Sequence, residues 1–203
     1  MSVLETISKI KLVPVVVLNK VEDTLPVIQA LHDGDVPVAE ICFRTDCAAE
    51  CIRLAVEKFP NDLIGAGTVI NAQQCEQAID CGAKFIVSPG LSDDVARVCK
   101  ERNIPYLPGV VTPTEIIRAI DLGLNVVKFF PAGVFGGLKA INAMGAAFPA
   151  VKFMPTGGVD NSNLKEFVEN KKIVACGGSW LVKGTPEDIT RVCLEARKII
   201  KGE

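Results

Sequence analysis

A lysine inside an apolar segment is the first residue of this chain whose setting points to chemistry. The stretch NVVKFFPAG (125–133) places Lys128 between two valines and two phenylalanines. Side chains of a strand alternate between its two faces, so Lys128 would share a face with Val126 and Phe130. Lysine is almost never fully buried without a partner. A lysine amine held in such a place can act as a nucleophile toward a carbonyl carbon.

The segment AEICFR (39–44) offers this lysine a carboxylate partner and a second cation. Glu40, Cys42 and Arg44 fall on one face of the predicted strand, and the apolar residues between them fall on the other. Glu40 can meet Lys128 if the two strands lie opposite each other in an eight-stranded barrel, so that the side chains reach across its mouth. A purely structural ion pair stays open as an alternative, because burial requires pairing whatever the function.

Two glycine pairs follow the last two apolar segments. They are Gly157–Gly158 and Gly177–Gly178, and Ser179 comes directly after the second pair. Glycine lets backbone N–H groups close around an anion, and the loops after the last two strands of a (β/α)8 barrel commonly form a phosphate site. Ordinary turn glycines are the alternative. Two pairs after successive strands favour phosphate binding.

Eight short apolar segments, separated by helix-period segments, must position these residues. We predict strands at 11–18, 36–43, 62–67, 83–88, 104–110, 125–130, 150–155 and 172–178. Predicted helices include 47–59, 112–123 and 187–200. Strand–helix alternation at this spacing is typical of βαβ units and a parallel sheet. Eight units predict a closed parallel (β/α)8 TIM barrel, an α/β fold, with residues 1–203 as one domain; an open doubly wound sheet is the alternative.

Helix ends follow recognisable patterns in this sequence. Ser2 with Glu5 forms a capping-box pattern and predicts a short helix before the first strand. The similar endings ALHDG, AIDCG and AIDLG place Gly34, Gly82 and Gly123 where helices commonly leave in the left-handed conformation.

Charge and composition exclude several classes of function. The formal net charge is −2 and no run of five like charges occurs, so we expect neither a nucleic acid nor a membrane partner. No segment has the ~20 consecutive apolar residues of a membrane span, and residues 1–12 lack the apolar stretch of a signal peptide. These features predict a cytoplasmic protein.

Eight cysteines raise the question of disulfides or metal. The chain has no CxxC pair, and its only histidine, His32, is predicted at a helix end as a capping or surface residue. We therefore predict reduced, mostly buried structural thiols and no metal site.

Seven segments of the chain carry a family resemblance. They resemble, in order and spacing, the bacterial 2-keto-3-deoxy-6-phosphogluconate (KDPG) aldolases: EICFRTD, GAGTVINAQQ, FIVSPGL, IPYLPGVVTPTE, VKFFPAG, PTGGV and GGSWLV. These are class I, Schiff-base aldolases that often also act on 4-hydroxy-2-oxoglutarate. The resemblance runs from about residue 10 to about residue 185.

The resemblance implies a role for each matching residue. Lys128 looks like the Schiff-base lysine, and Glu40 looks like the acid/base that moves protons. Three residues match positions that hold the pyruvyl carboxylate or line its pocket, namely Arg44, Thr68 and Pro89, and Phe130 matches a pocket wall. The phosphate end is matched by Gly157, Gly158, Gly178 and Ser179. The family implies a phosphorylated 2-keto acid as substrate, pyruvate as product, no cofactor or metal, and a homotrimer.

Alternative functions remain at this point. Arg44 and GGSW favour the gluconate-derived substrate over the galactonate-derived one, whose aldolases are similar but tend to lack that arginine. A phosphate-binding barrel isomerase without covalent catalysis would share the glycine pairs. A non-catalytic sugar-phosphate sensor would use Lys128 and Glu40 as a structural pair. The segment before the first strand is shorter than is usual in the resembling family.

Overall fold

The structure, a computed structural model, describes residues 2–203, which form nine strands and nine α-helices. The strands are Leu12–Val16 (β1), Val38–Cys42 (β2), Leu63–Gly67 (β3), Ile86–Val87 (β4), Tyr106–Leu107 (β5), Gly109–Val110 (β6), Val126–Phe129 (β7), Lys152–Pro155 (β8) and Cys176–Gly178 (β9). The helices are Val3–Ile10 (α1), Thr24–Asp33 (α2), Ala48–Lys58 (α3), Ala72–Asp80 (α4), Asp93–Glu101 (α5), Pro113–Asp121 (α6), Gly137–Ala147 (α7), Leu164–Val168 (α8) and Pro186–Lys201 (α9). Each predicted strand segment contains an observed strand, and every observed strand is shorter than its predicted segment.

All strand pairs are parallel, and they form two ladders. One ladder has the order β5-β4-β3-β2-β1-β9 and the other has the order β6-β7-β8. Isolated bridges, Phe153 with Ile173 and Thr156 with Gly177, connect the β8 end of the second ladder to the β9 end of the first. The predicted α/β class with a parallel sheet is confirmed at this level.

The prediction of one strand over 104–110 is wrong. The segment holds two strands of two residues each, β5 and β6, separated by Pro108. Proline has no backbone N–H, so it cannot donate to a ladder and interrupts the pairing. The carbonyl of Pro108 still accepts a 2.8 Å hydrogen bond from the backbone of Lys128, which keeps the broken strand next to β7.

A small apolar cluster lies on the inner face of the curved sheet, mostly toward the N-terminal ends of the strands. It gathers one or two side chains from most elements around it: Ile7, Val13, Val38, Phe85, Val87, Leu107, Met154 and Ala175. Ile7 comes from α1, which precedes the first strand and so covers this end. A larger cluster fills the space between the strands and the outer helices. Each fully buried aliphatic or aromatic side chain contributes roughly 1.5–3 kcal/mol to folding.

Two of the three predicted left-handed helix ends are confirmed, and one is wrong. Gly82 and Gly123 have φ of 100° and 80°, but Gly34 has φ of −78°. The left-handed residue there is the next one, Asp35, with φ of 59°. Glycine at 34 serves packing instead, because an added Cβ would lie 2.5 Å from the Cβ of Cys193 on α9. The capping box of Ser2 and Glu5 is confirmed.

The remaining features bear on membranes, metals and thiols. Among residues 2–203 no helix is long and apolar enough to cross a bilayer, and the same residues contain no cluster of three or more metal-binding side chains. Seven of the eight free cysteines are buried, as predicted, and Cys47 is partly exposed. His32 lies at the surface as predicted, where its Nδ1 is 3.0 Å from a carboxylate oxygen of Asp62.

Candidate active site

The side chains of Lys128 and Glu40 meet on the inner face of the curved sheet, as the strand pattern predicted. Nζ of Lys128 on β7 donates a hydrogen bond of 3.2 Å to Oε1 of Glu40 on β2. The lysine side chain is 6% exposed and the glutamate side chain is fully buried. A buried ion pair of this kind is weak evidence for a stabilising role, because desolvation offsets most of its attraction. An amine beside a carboxylate can add to a carbonyl and pass protons during the addition.

The strand that carries Lys128 is held on both sides. Lys128 pairs in register with Gly109 of β6 and with Met154 of β8. On the opposite face, Phe129 packs edge-to-face against Phe153 with ring centroids 6.2 Å apart. Nζ of Lys128 lies 5.0 Å from the ring centroid of Phe130, a cation–π distance. The amine is therefore bounded by an aromatic ring on one side and by a carboxylate on the other.

A glycine on the neighbouring strand makes room for Glu40. An added Cβ at Gly67 would overlap Oε1 of Glu40 and lie 2.5 Å from its Cγ. The backbone of Gly67 is not left-handed, so close approach to the carboxylate is the reason for glycine here. The other oxygen, Oε2, is buried and has no hydrogen-bond partner in the part of the chain that the structure describes. It is an acceptor ready for a proton of a bound molecule.

Arg44, the second predicted cation, lies at the exposed end of this strand. Its Nη2 donates a 3.2 Å hydrogen bond to Sγ of Cys42, which is fully buried. Burial raises the pKa of the Cys42 thiol, and the nearby Glu40 carboxylate raises it further, against the opposing effects of Arg44 and Thr68. Thr68 directly follows Gly67, which pairs in register with Cys42. Its φ of 54° is unusual for a β-branched residue and is typical of functional sites.

Pro89 lies in the loop after β4, next to the strand segment that pairs with Lys128. An added Cβ at Gly109 would overlap the carbonyl of Pro89 and lie 2.8 Å from the backbone nitrogen of Gly90. Tyr106, buried beneath this loop, accepts a 3.2 Å hydrogen bond from the backbone of Ser92 and contacts Ser88. Burial raises the pKa of Tyr106 to about 12. These contacts hold the loop after β4 against Tyr106 and Gly109.

The first predicted glycine pair packs against the segment that follows Lys128. Gly157 and Gly158 are both left-handed, with φ of 84° and 87°. The carbonyl of Gly157 accepts a 2.9 Å bond from the backbone of Gly133, and an added Cβ at Gly157 would lie 3.8 Å from the ring of Phe130. This turn therefore lies next to the segment that follows Lys128.

The second glycine segment lies beside the first. Thr156, just before the first pair, forms a bridge with Gly177, just before Gly178. Ser179 is exposed and begins a short 3₁₀ helix, and an added Cβ at Gly178 would overlap the ring of Trp180. No hydrogen bond within residues 2–203 joins Gly178 or Ser179 to Lys128 or Glu40.

The sequence analysis assigned no role to three residues of this site: Cys42, which it placed on the correct face, Gly67 and Thr156. Thr156 is 4% exposed, and its Oγ1 has no hydrogen-bond partner within the described residues. A period-two pattern places Thr156 on the same face as Met154, which was a usable signal for an inward hydroxyl. The role of Gly67 could not be read from the sequence, since it depends on a neighbouring strand.

Comparisons with known proteins agree on one family. The family model described as KDPG and KHG aldolase matches residues 3–193. A 2-dehydro-3-deoxy-phosphogluconate aldolase of Treponema pallidum is 41% identical over 89% of this chain and 86% of its own length. The KDPG aldolase of Legionella pneumophila, solved with pyruvate captured at low pH as a covalent carbinolamine intermediate, is 35% identical with a TM-score of 0.88, covering 92% of this chain and 93% of that one. The 2-keto-3-deoxy-6-phosphogluconate aldolase of Zymomonas mobilis ZM4, solved with 3-phosphoglycerate, is 36% identical with a TM-score of 0.90, covering 96% of this chain and 94% of that one.

Proposed function

Since the chain belongs to the family of KDPG and KHG aldolases, we propose that it is a class I aldolase, a carbon–carbon lyase. It cleaves 2-dehydro-3-deoxy-6-phosphogluconate to pyruvate and glyceraldehyde 3-phosphate, and it also acts on 4-hydroxy-2-oxoglutarate. The identity of about 40% to a relative named for the phosphogluconate substrate supports the gluconate series over the galactonate series.

The observation that carries this proposal is the contact between the Lys128 amine and the Glu40 carboxylate. The two groups are 3.2 Å apart and buried, and the second oxygen of Glu40 has no hydrogen-bond partner among residues 2–203. Class I aldolase chemistry needs a lysine that adds to a ketone and an acid/base that serves several proton transfers. The carbinolamine formed with pyruvate in the Legionella pneumophila relative supports covalent chemistry in this family.

The proposed mechanism uses these two residues throughout. Glu40 accepts a proton from Lys128, and the neutral amine adds to C2 of the substrate to form a carbinolamine. Glu40 then delivers the proton that allows water to leave, which gives a protonated imine. The imine withdraws electrons while Glu40, directly or through water, takes the C4 hydroxyl proton and the C3–C4 bond breaks. The resulting enamine is reprotonated at C3 and hydrolysed to pyruvate. The imine is the electron sink, so the reaction requires no metal or cofactor.

The substrate carboxylate is bound at the exposed end of β2. Arg44 carries the positive charge for it, and Thr68 and Pro89 line the same part of the pocket. The guanidinium of Arg44 is not part of any ion pair among the described residues, which leaves it available to a carboxylate. Phe130, whose ring lies over Nζ of Lys128, forms a wall of the pocket.

The phosphate of the substrate is bound at the two glycine segments. Gly157 and Gly158 turn in left-handed conformations and expose backbone N–H groups, and Gly178 with Ser179 lies on the adjacent strand end. Such backbone concavities suit anions. The solved Zymomonas mobilis relative with 3-phosphoglycerate supports binding of a phosphorylated compound in this family.

The two ladders are parts of one closed (β/α)8 barrel in this proposal, with residues 1–203 as a single domain. Consecutive strands β5 and β6 act as one interrupted strand, and the bridges between the β8 and β9 ends support closure on the other side. The homotrimer and the cytoplasmic location stay predictions, the first of them implied by the family; sedimentation of the purified protein tests it.

Replacement of Glu40 tests the mechanism without removing the nucleophile. We expect Glu40→Gln to bind pyruvate but to lose roughly 10²–10⁴-fold in turnover, which is the usual contribution of a general acid/base. Glu50→Gln, on the exposed surface of α3, is the matched control and should keep wild-type activity. Wild-type cleavage by Glu40→Gln would remove Glu40 from the mechanism. Rates with the two C4 epimers of the substrate separate the gluconate series from the galactonate series.

A further inference from the structure

We propose that Cys42 is a positioning residue that orients Arg44 toward the carboxylate of the substrate. This inference rests on the proposed function, since it assumes that Arg44 binds that carboxylate. Cys42 lies between Glu40 and Arg44 on the inward face of β2, and its side chain is fully buried. Its uncharged thiol contacts Arg44, the residue proposed to bind the substrate carboxylate.

The contact between the thiol and the guanidinium is specific. Nη2 of Arg44 donates to Sγ of Cys42 over 3.2 Å, and this is the only side-chain hydrogen bond of Arg44 among residues 2–203. The thiol in turn is 3.9 Å from the backbone carbonyl of Glu40, which is the acceptor for its S–H. The sulfur thus has a backbone acceptor within reach and itself accepts from Arg44. The remaining N–H donors of the guanidinium are left for a ligand.

Thr68 follows the strand that pairs with the Cys42 segment. Cys42 pairs in register with Gly67, the residue before Thr68. Its left-handed backbone, with φ of 54°, costs energy for a β-branched residue and persists only where the surroundings hold it. Cys42 therefore lies near two of the residues predicted to surround the carboxylate.

The charge state of the thiol suits this role. Burial and the Glu40 carboxylate raise the pKa of Cys42, so the thiol is uncharged at neutral pH. A neutral acceptor fixes the direction of Arg44 and leaves its positive charge uncompensated. An anionic side chain at this position would pair with Arg44 and compete with the substrate carboxylate.

A pair of substitutions separates orientation from packing. Cys42→Val keeps the approximate volume and removes the acceptor, whereas Cys42→Ser keeps an acceptor. We expect Cys42→Val to raise the KM for the aldol substrate by roughly 3- to 10-fold, the usual value of one hydrogen bond, with kcat within about 2-fold. Cys42→Ser should restore KM to within about 2-fold of wild type. Cys51→Ala is the control. It removes a buried thiol on α3, outside the site, and should leave KM and kcat unchanged.

The decisive measurement is a double-mutant cycle with Arg44→Ala, read as KM and kcat alongside borohydride trapping of pyruvate on the wild type. If Cys42 acts through Arg44, Cys42→Val has no further effect on KM in the Arg44→Ala background. An unchanged KM in Cys42→Val, or an equal increase in both backgrounds, would overturn the inference and leave the proposed function standing. Absence of a pyruvate adduct on the wild type would overturn the proposed function and this inference with it.

Discussion

The inner face of the curved sheet is mostly apolar toward the N-terminal ends of the strands and carries a buried charged pair farther along them. Ile7, Val38 and Phe85 fill the first region, whereas Glu40 and Lys128 occupy the second. Val38 and Glu40 are two residues apart on β2, so one strand serves both regions. Packing at one end fixes the strand directions that bring two charges within hydrogen-bond distance at the other.

Two glycines of β3 show the same contrast on a smaller scale. An added Cβ at Gly65 would overlap the ring of Phe85 in the apolar region, and one at Gly67 would overlap the Glu40 carboxylate. Both glycines provide space, but the neighbour that needs it is a core side chain in one case and a reacting group in the other. The same substitution at the two positions should therefore have different consequences.

The largest effect is expected from Lys128→Ala. Loss of the nucleophile removes the covalent route, and we expect cleavage activity to fall by more than about 10³-fold in a steady-state assay of pyruvate release. Lys152→Ala, at the other end of the neighbouring strand β8, is the matched control and should keep activity. Circular dichroism of both variants checks that they are folded, since Glu40 is left without its partner in the first. Near-normal cleavage by folded Lys128→Ala would contradict the mechanism.

Gly67→Ala and Gly65→Ala sharpen the comparison between the two regions. Gly67→Ala displaces the buried Glu40 carboxylate, so we expect kcat to fall by about 10²-fold, the order of loss that a misplacement of about 1 Å can cause. Gly65→Ala overpacks a closed core and should cost about 1–3 kcal/mol of stability. Urea unfolding and kcat are measured on both. If Gly67→Ala retained full kcat, the space it provides would not matter to Glu40.

A surface ion pair at the apolar end should have the smallest effect. Asp35 accepts a 3.0 Å bond from Arg197, which also donates to the carbonyl of Ile10. The hydrogen bond from Arg197 is the main cause that lowers the pKa of Asp35 below its ordinary 3.8. The pair therefore stabilises the fold above about pH 4, and this contribution is lost as the pH falls through the lowered pKa.

Asp35→Asn tests this pair because asparagine tolerates the same left-handed backbone. We expect a loss of about 0.2–1 kcal/mol near pH 7, since the Asp35 side chain is 52% exposed. The difference from wild type should shrink below pH 4 in urea unfolding series. If the difference in unfolding free energy between wild type and Asp35→Asn grew as the pH was lowered, the proposed contribution of this ion pair would be contradicted. Cleavage activity should be unchanged, in contrast to the pair at the charged end.

Much of this arrangement could be predicted from residue patterns. Period-two alternation in AEICFR and NVVKFFPAG was enough to orient Glu40 and Lys128 inward, and the apolar segments located every strand. Two local predictions were wrong because a neighbouring constraint decided them. Pro108 divides a strand that its apolar composition suggested was continuous, and Gly34 is a packing glycine against α9 rather than a left-handed helix end.

The residues that were missed depend on contacts between strands. Gly67 matters because the Glu40 side chain of β2 packs against it. Thr156 matters because its buried hydroxyl has no hydrogen-bond partner in the part of the chain that the structure describes. Cys42 was placed on the correct face, but its contact with Arg44 depends on side-chain conformation, which strand periodicity does not encode. Such contacts become visible only when the strands are placed beside one another.

Covalent capture of pyruvate tests the central claim most directly. The protein is incubated with pyruvate and borohydride, its intact mass is measured, and the labelled peptide is mapped, with Lys128→Ala treated in parallel. The proposed aldolase chemistry predicts one reduced pyruvyl adduct on the peptide that contains Lys128 and none on the variant. Folded wild-type protein without an adduct, or with the adduct on another lysine, would contradict it.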